Sequence, residues 1–247
     1  MKKHKAEDGA GARWLRHHAD GFDRVRRLLG SHRDRDAIGW FSAETTNWRG
    51  AYDRVCSNSG RAIEVKNATP LYLSKARSRF SPADMDLRVY LSLEATLDSD
   101  RLWRSSLKLG VLAGPPERLI QRILYDYDDD DVHRGLAGFP FHIQCGKNPG
   151  ELGGSVDCAF DGLDEPRLPG VPLDFFLLLQ VARDQFAPDG LAEALVGQEW
   201  EAVLRTSSHF VSGAWCRALS KALRPEEFLH RAARLVDWPA VALHHPS

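Results

Sequence analysis

The chain opens on a pattern of apolar residues spaced three and four apart. From residue 13 to residue 29, the positions that share this spacing are Trp14, Leu15, His18, Phe22, Val25, Leu28 and Leu29. Such spacing predicts an amphipathic α-helix whose opposite face is covered by arginine. Gly30 follows and predicts the end of this helix. We expect a turn-rich stretch next, and then a second short helix over residues 70–80.

From residue 85 to residue 144 the period of the pattern falls to two. Apolar residues at positions 87, 89, 91 and 93 alternate with polar ones, and residues 107–111, 119–127 and 139–144 repeat the alternation. This period is typical of half-buried β-strands. The gaps between these segments are too short for crossover helices, so the sequence predicts a mostly antiparallel meander.

Helical spacing returns at Pro172, a residue well suited to the first turn of a helix. Asp174 near that end complements the positive end of the helix dipole. Residues 175–186 are apolar nearly all round, which predicts a buried helix. Three more helices are expected over residues 191–204, 210–223 and 225–236. The fold class predicted is therefore α+β, with a central sheet at about residues 85–145, an N-terminal helix and a C-terminal helical bundle.

Composition indicates a packed globular protein. The 247 residues are 43% hydrophobic and 27% charged, and they are interpreted as a single domain, 1–247, with a subdivision into 1–170 and 171–247 as the alternative. No apolar stretch approaches the roughly 20 residues of a membrane span, so no membrane partner is expected. Four scattered cysteines indicate reduced thiols, hence a cytoplasmic location, and the excess of arginine over lysine suggests a bacterial source.

Charge is distributed unevenly along the chain. The first 35 residues hold ten basic and five acidic side chains, whereas residues 126–165 hold ten acidic and two basic ones. A net charge of −1 therefore conceals two regions of opposite sign. Such asymmetry favours a protein partner or self-association through charged surfaces, and the basic N-terminal helix offers a contact for nucleic acid.

Asp53, Glu64 and Lys66 form the first candidate site. The alternation over residues 63–66 places Glu64 and Lys66 on one face of a strand, and a hairpin would bring Asp53 beside them. Two carboxylates and an ammonium group suit Mg²⁺-dependent phosphodiester cleavage. The spacing resembles half of the signature of the PD-(D/E)xK nuclease family, which implies that these three residues are catalytic and that Mg²⁺ is the cofactor. No proline precedes Asp53, and Pro70 follows where that family has a strand and helix.

His133, His142, Cys145 and Cys158 form the second candidate site. The spacing of His142 and Cys145 before a glycine resembles one knuckle of a zinc ribbon, and the four residues make a Cys₂His₂ set that Zn²⁺ accepts. On an uninterrupted strand, however, residues three apart point to opposite faces. The alternative interpretation places Cys145 in the core and His142 on the polar face.

The acidic run offers a third candidate. Asp126 and Asp128 lie on one face of a predicted strand, where His133 or His142 could complete a carboxylate–imidazole site. An EF-hand is excluded because Asp131 occupies the position of the required turn glycine. Phosphate-binding and serine-nucleophile motifs of the GxxxxGK and GxSxG types do not occur in the sequence.

These patterns rank three functional hypotheses. The first is a non-catalytic interaction or accessory protein of a bacterial cytosol, with no cofactor expected. The second is a metal-dependent nuclease that uses Asp53, Glu64 and Lys66 with Mg²⁺. The third is a small zinc-stabilised domain around the histidines and cysteines of residues 133–158. Whether the chain is an enzyme stays open at this point.

Overall fold

A computed structural model gives the positions of most of the chain. It describes residues 9–30, 35–57, 60–76, 87–113, 118–128, 141–145, 168–169, 173–186 and 191–222. The helices are α1 (Ala10–Leu29), α2 (Arg35–Ser57), α3 (Phe175–Phe186), α4 (Leu191–Ala194) and α5 (Gly197–Ala222). The strands are β1 (Ile63–Lys66), β2 (Leu71–Ala76), β3 (Leu87–Leu97), β4 (Leu102–Ala113), β5 (Arg118–Asp128), β6 (Phe141–Cys145) and β7 (Leu168–Pro169). The predicted α+β class is confirmed.

These strands pair in one antiparallel sheet with the order β1-β3-β4-β5-β6-β7. The short strands β1 and β2 both pair with β3, β1 near its C-terminal end and β2 near its N-terminal end. In the centre, Leu91 lies opposite Leu109, and Leu109 lies opposite Ile123. Consecutive strands β3 to β6 are thus hydrogen-bonded neighbours, which confirms the predicted meander.

Alternation along the central strands separates the two faces of the sheet. Leu91 and Leu93 on β3 are buried in the main core, together with apolar residues of α1, α2 and α3. Tyr90, on the same strand, belongs to a smaller cluster with Leu112 and Leu119. Because successive strand residues point to opposite faces, the helices cover one face and the Tyr90 cluster lies on the other.

The helix α1 is the centre of the helical layer. Its buried face includes Trp14, Leu15, Phe22 and Val25, which agrees with the spacing of its apolar residues. α1 packs against α2 along its length and also contacts α5. Each buried aromatic or leucine side chain of this kind contributes roughly 1.5–3 kcal/mol relative to exposure. The predicted helix and its end at Gly30 are confirmed.

Close approach of α1 to α3 depends on Gly21, and Gly21→Ala is expected to destabilise the protein by about 1–3 kcal/mol. A Cβ at position 21 would overlap the ring of Phe176. Urea unfolding measures the loss. Gly39→Ala on α2 is the matched control, because a Cβ there meets nothing within 4 Å and alanine is the better helix former. Equal stability of the two variants would contradict this packing.

Three predicted elements are wrong in type or extent. Residues 35–57 form α2 instead of a turn-rich stretch, and residues 71–76 form β2 instead of a helix. β2 is a strand because Leu71 and Leu73 are buried while Tyr72 is exposed, a period of two stabilised by pairing with β3. In the C-terminal part, residues 197–222 form one helix instead of two, and residues 225–236 lie outside the described part of the chain.

The break between α4 and α5 occurs at Gly197, whose φ of 79° is favoured by glycine. In the described part of the chain, no helix combines the length and apolar composition needed to cross a membrane.

Candidate functional site: a histidine–aspartate group beside an arginine-lined cleft

Two adjacent histidines on α1 lie where α1, α3 and α5 meet. The ring of His17 stacks on Phe210 of α5, with centroids 5.2 Å apart, and meets the ring of Phe176 edge-on. The ring of His18 lies between Trp48 of α2 and Phe176 of α3, at centroid distances of 5.3 and 5.7 Å. The helix thus directs neighbouring imidazoles into two parts of the same interface.

Asp174 joins this group from the start of α3. The backbone N–H of Leu177 donates to Oδ1 of Asp174 at 2.9 Å, so Asp174 caps the helix. Its other oxygen, Oδ2, accepts a hydrogen bond from Nε2 of His17 at 2.8 Å. The position predicted for Asp174 at the start of the helix is confirmed. Its hydrogen bond to His17 on α1 is a second role of the side chain.

Asp174 carries a negative charge in this interface. Burial by itself raises the pKa of the carboxyl group, but the hydrogen bond and the charge of His17 outweigh it and hold the pKa below its usual value. The side chain is 2% exposed and that of His17 is 7% exposed, so this contact is largely shielded from water.

His18 is neutral and fully buried. Its Nδ1 donates to the carbonyl oxygen of Trp14 at 3.0 Å, which leaves a lone pair on Nε2. That nitrogen is buried and has no hydrogen-bond partner among the described residues. Burial, and then the neighbouring His17, lower the pKa of His18 to about 3, although the charge of Asp174 acts in the opposite direction.

Ser207 of α5 lies near the same group but does not form a catalytic relay with it. Its hydroxyl oxygen is 3.3 Å from Nε2 of His17. The same nitrogen donates its hydrogen to Asp174, so it has no lone pair that could take a proton from Ser207. A serine nucleophile needs the serine and the aspartate on different ring nitrogens.

A cleft of about 250 Å³ lies against this group, between α1 and α5. It is lined by Arg13, Arg16, His17, Asp20, Gly21, Arg24, Val203, Thr206 and Phe210. The lining contains three arginines and one aspartate, all on α1, so the cleft is electropositive. Arg13, Arg16, Asp20, Arg24 and Arg27 are exposed and follow each other at steps of three and four residues. We call these five residues the arginine stripe.

The residues of the predicted nuclease site occupy two different elements. Asp53 is exposed in the last turns of α2, while Glu64 and Lys66 are exposed on β1. The hairpin that the prediction required is replaced by a connection from helix to strand. Glu64 and Lys66 do share the exposed face of β1, as the alternation predicted, since Val65 between them is buried.

The residues of the predicted zinc site are only partly described. His142 and Cys145 lie on β6, where they are the register partners of Asp126 and Ile123 on β5. The pairing of Asp126 with His142 is the cross-strand neighbourhood that the sequence suggested. His133 and Cys158 lie outside the described residues.

Sequence reasoning missed the group of His17, His18 and Asp174. The spacing pattern places His18 among the apolar positions of α1 and gives Asp174 only a helix-dipole role. The adjacent histidines, one of them on an apolar face, were the available signal. Their contact with Asp174 spans 157 residues, however, and no local spacing indicates it.

Comparisons with known proteins give no family for this chain. A scan against protein-family models, a search of curated proteins and a search of solved structures each find no match.

Proposed function

We propose that the chain is a non-catalytic binding protein that holds an acidic segment of a partner protein along the arginine stripe and in the adjoining cleft. The observation that carries this proposal is the cleft itself, whose lining contains three arginines of α1 and a single aspartate. Guanidinium groups bind carboxylates with two parallel hydrogen bonds, which gives both attraction and geometric selectivity.

The shape of the cleft also supports an extended peptide as the ligand. Phe210 and Val203 provide an apolar wall opposite the arginines. A segment that alternates acidic and apolar side chains would satisfy both walls at once. Arg13 and Arg24 are exposed on α1, and substituting them therefore removes charge without disturbing the core.

An acidic protein segment suits the chain better than nucleic acid does. The overall net charge is −1 and the isoelectric point is about 6.8, whereas general nucleic-acid binders carry a strong excess of positive charge. The nuclease hypothesis receives less support, because Asp53 lies on a helix instead of the required hairpin.

Charge reversal of the stripe tests this function. The double variant Arg13→Glu/Arg24→Glu is expected to weaken binding of a fluorescein-labelled peptide of alternating glutamate and leucine by about 10-fold or more. Fluorescence anisotropy measures the affinity at several salt concentrations, and the affinity of the wild type is expected to fall as salt rises.

The matched control reverses two exposed arginines outside the cleft, Arg54→Glu/Arg61→Glu, and so changes the net charge equally. This control is expected to keep the wild-type affinity within about two-fold. Equal losses in both double variants, or no peptide binding by the wild type, would contradict the proposal. Tighter binding of a single-stranded oligonucleotide than of the peptide would assign the stripe to nucleic acid instead.

A further inference from the structure

The group formed by His17, His18 and Asp174 has lone pairs that hydrogen bonds within the fold do not occupy, that of His18 Nε2 among them. Each of the three residues offers one ligand atom, and these atoms lie within 4.8 Å of one another. We propose that they bind a divalent transition-metal ion of the Zn²⁺ or Co²⁺ type between α1 and α3. This site is separate from the His133, His142, Cys145 and Cys158 set expected from the sequence, and it does not depend on the arginine stripe.

The strongest indication is the unpartnered nitrogen of His18. A buried polar atom without a hydrogen bond typically costs about 1–3 kcal/mol. With its hydrogen on Nδ1, the ring presents only a lone pair at Nε2, which calls for a hydrogen-bond donor or a metal ion. No described side chain supplies such a donor to it.

The ligand distances are compatible with a tetrahedral ion after small movements. Zinc bonds of about 2.0–2.1 Å separate neighbouring ligand atoms by about 3.3 Å. The contact of His17 with Asp174, now 2.8 Å, would lengthen slightly, while the wider separations, which are at most 4.8 Å, would close by up to about 1.5 Å. Side-chain rotations supply shifts of this size without moving the helices.

Charge and outer contacts also fit a metal ion. Two neutral imidazoles and one carboxylate give a ligand set of charge −1, which partly neutralises the ion. Nδ1 of His18 is held by the carbonyl oxygen of Trp14, and Oδ1 of Asp174 is held by the N–H of Leu177. Such contacts fix ligand orientation in known metal sites. His17 would bind the ion through Nε2 as a neutral imidazole, with its proton on Nδ1 and the Nε2 proton released.

The fourth coordination position of the ion is open to an oxygen ligand, either the hydroxyl group of Ser207 or a water molecule. The Ser207 hydroxyl lies 3.3 Å from Nε2 of His17, and water can enter from the cleft that His17 lines. Three protein ligands and one exchangeable position is a common arrangement for zinc.

Cobalt titration of the full chain tests the site. After removal of metals with EDTA, Co²⁺ is expected to bind one-to-one and to give the visible absorption bands of a four-coordinate nitrogen and oxygen site, which Zn²⁺ then abolishes. Asp174→Asn and His18→Phe are each expected to weaken Co²⁺ binding by about 100-fold or more. Asparagine retains an oxygen to cap α3, and phenylalanine retains a ring between Trp48 and Phe176.

The control variant His209→Gln removes an exposed histidine of α5 and is expected to keep full affinity. Cys145→Ser/Cys158→Ser is expected to do the same, and a thiolate-to-cobalt charge-transfer band would instead assign the ion to cysteine. The proposal fails if the wild type binds no Co²⁺ or Zn²⁺, which would mean that water satisfies His18. It fails equally if either site variant, folded by circular dichroism, binds like the wild type.

Discussion

Glu44→Ala is expected to lower the free energy of unfolding by about 3–5 kcal/mol, because several buried hydrogen-bond donors lose their acceptor at about 1–3 kcal/mol each. Glu44 is 1% exposed in the middle of α2. Its Oε2 accepts hydrogen bonds from Trp48 Nε1 at 2.9 Å, Asn67 Nδ2 at 2.8 Å and Asn47 Nδ2 at 3.3 Å. Its Oε1 accepts from the backbone N–H of Ala68 at 3.0 Å. Alanine would leave the buried donors of Trp48 and Asn67 and the N–H of Ala68 without this acceptor, whereas Asn47 keeps its bond to the carbonyl oxygen of Lys66.

The loss extends beyond α2 because Asn67 continues the network. The side-chain Oδ1 of Asn67 accepts a hydrogen bond from the backbone N–H of Leu93 at 2.7 Å. Glu44 therefore orients the residue that joins the β1–β2 connection to the central strand β3. Without the carboxylate, Asn67 can turn away and release part of the sheet edge, so the effect should exceed that of one surface hydrogen bond.

Urea unfolding of matched variants measures this effect. Asp53→Ala, which removes an exposed carboxylate from the same helix, is expected to change stability by less than about 0.5 kcal/mol. The stability of Glu44→Gln should lie between those of Glu44→Ala and Asp53→Ala. Its side-chain carbonyl oxygen still accepts a hydrogen bond, whereas its NH₂ group faces other donors. A loss below about 1 kcal/mol for Glu44→Ala would show that the donors find water instead.

This network also explains why α2 could not be predicted. The buried positions of α2 do have helical spacing, but Glu44 and Thr45 occupy two of them. These two residues therefore interrupt the apolar pattern of the helix, even though both of their side chains form hydrogen bonds in the folded protein. Thr45 donates to the carbonyl oxygen of Phe41 within the helix, whereas Glu44 depends on residues 67 and 68 far along the chain. Only the folded arrangement shows that a polar side chain can be buried there.

The strands and α1 were predictable because their burial follows a simple period. Leu87, Val89, Leu91 and Leu93 alternate with residues 88, 90 and 92, and pairing with β4 buries the same face along the strand. The arginine-covered face of α1 was likewise visible in the sequence. The cleft was not, since it requires α5 to lie against that face. The long-range contacts of Asp174 and Phe210 with His17 were hidden for the same reason.

In metal-free protein, stability is expected to fall as the pH drops from about 6.5 to 4.5, by roughly 2–3 kcal/mol through His18 alone. The unfolded chain takes up a proton on this residue near its ordinary pKa of 6.5, while the folded pKa is lowered to about 3. The unfolded state therefore binds more protons throughout this window. Each pH unit below 6.5 then favours unfolding by up to about 1.4 kcal/mol.

Between pH 6.5 and 4.5, His18 contributes more than Asp174 to the pH dependence of stability, because the two groups titrate in different pH ranges. The groups that face His18 are Trp14, His17 and Phe22 on α1, Trp48 on α2, Phe176 on α3 and Asp174 at the N-terminal cap of α3. The pKa of Asp174 is held below its usual 3.8, so its stabilising effect is present above that pH and is lost only in stronger acid. Between pH 6.5 and 4.5 its charge is constant.

Urea unfolding in EDTA at half-unit steps of pH isolates the effect. His18→Phe keeps a ring in the aromatic stack but cannot be protonated, so its stability should depend less steeply on pH than that of the wild type by about 1.4 kcal/mol per unit. His209→Gln, which removes an exposed histidine from α5, should retain the wild-type slope. Parallel pH profiles for His18→Phe and the wild type would mean that water or a charged partner reaches the His18 ring, in which case Trp14, Trp48 and Phe176 do not enclose it.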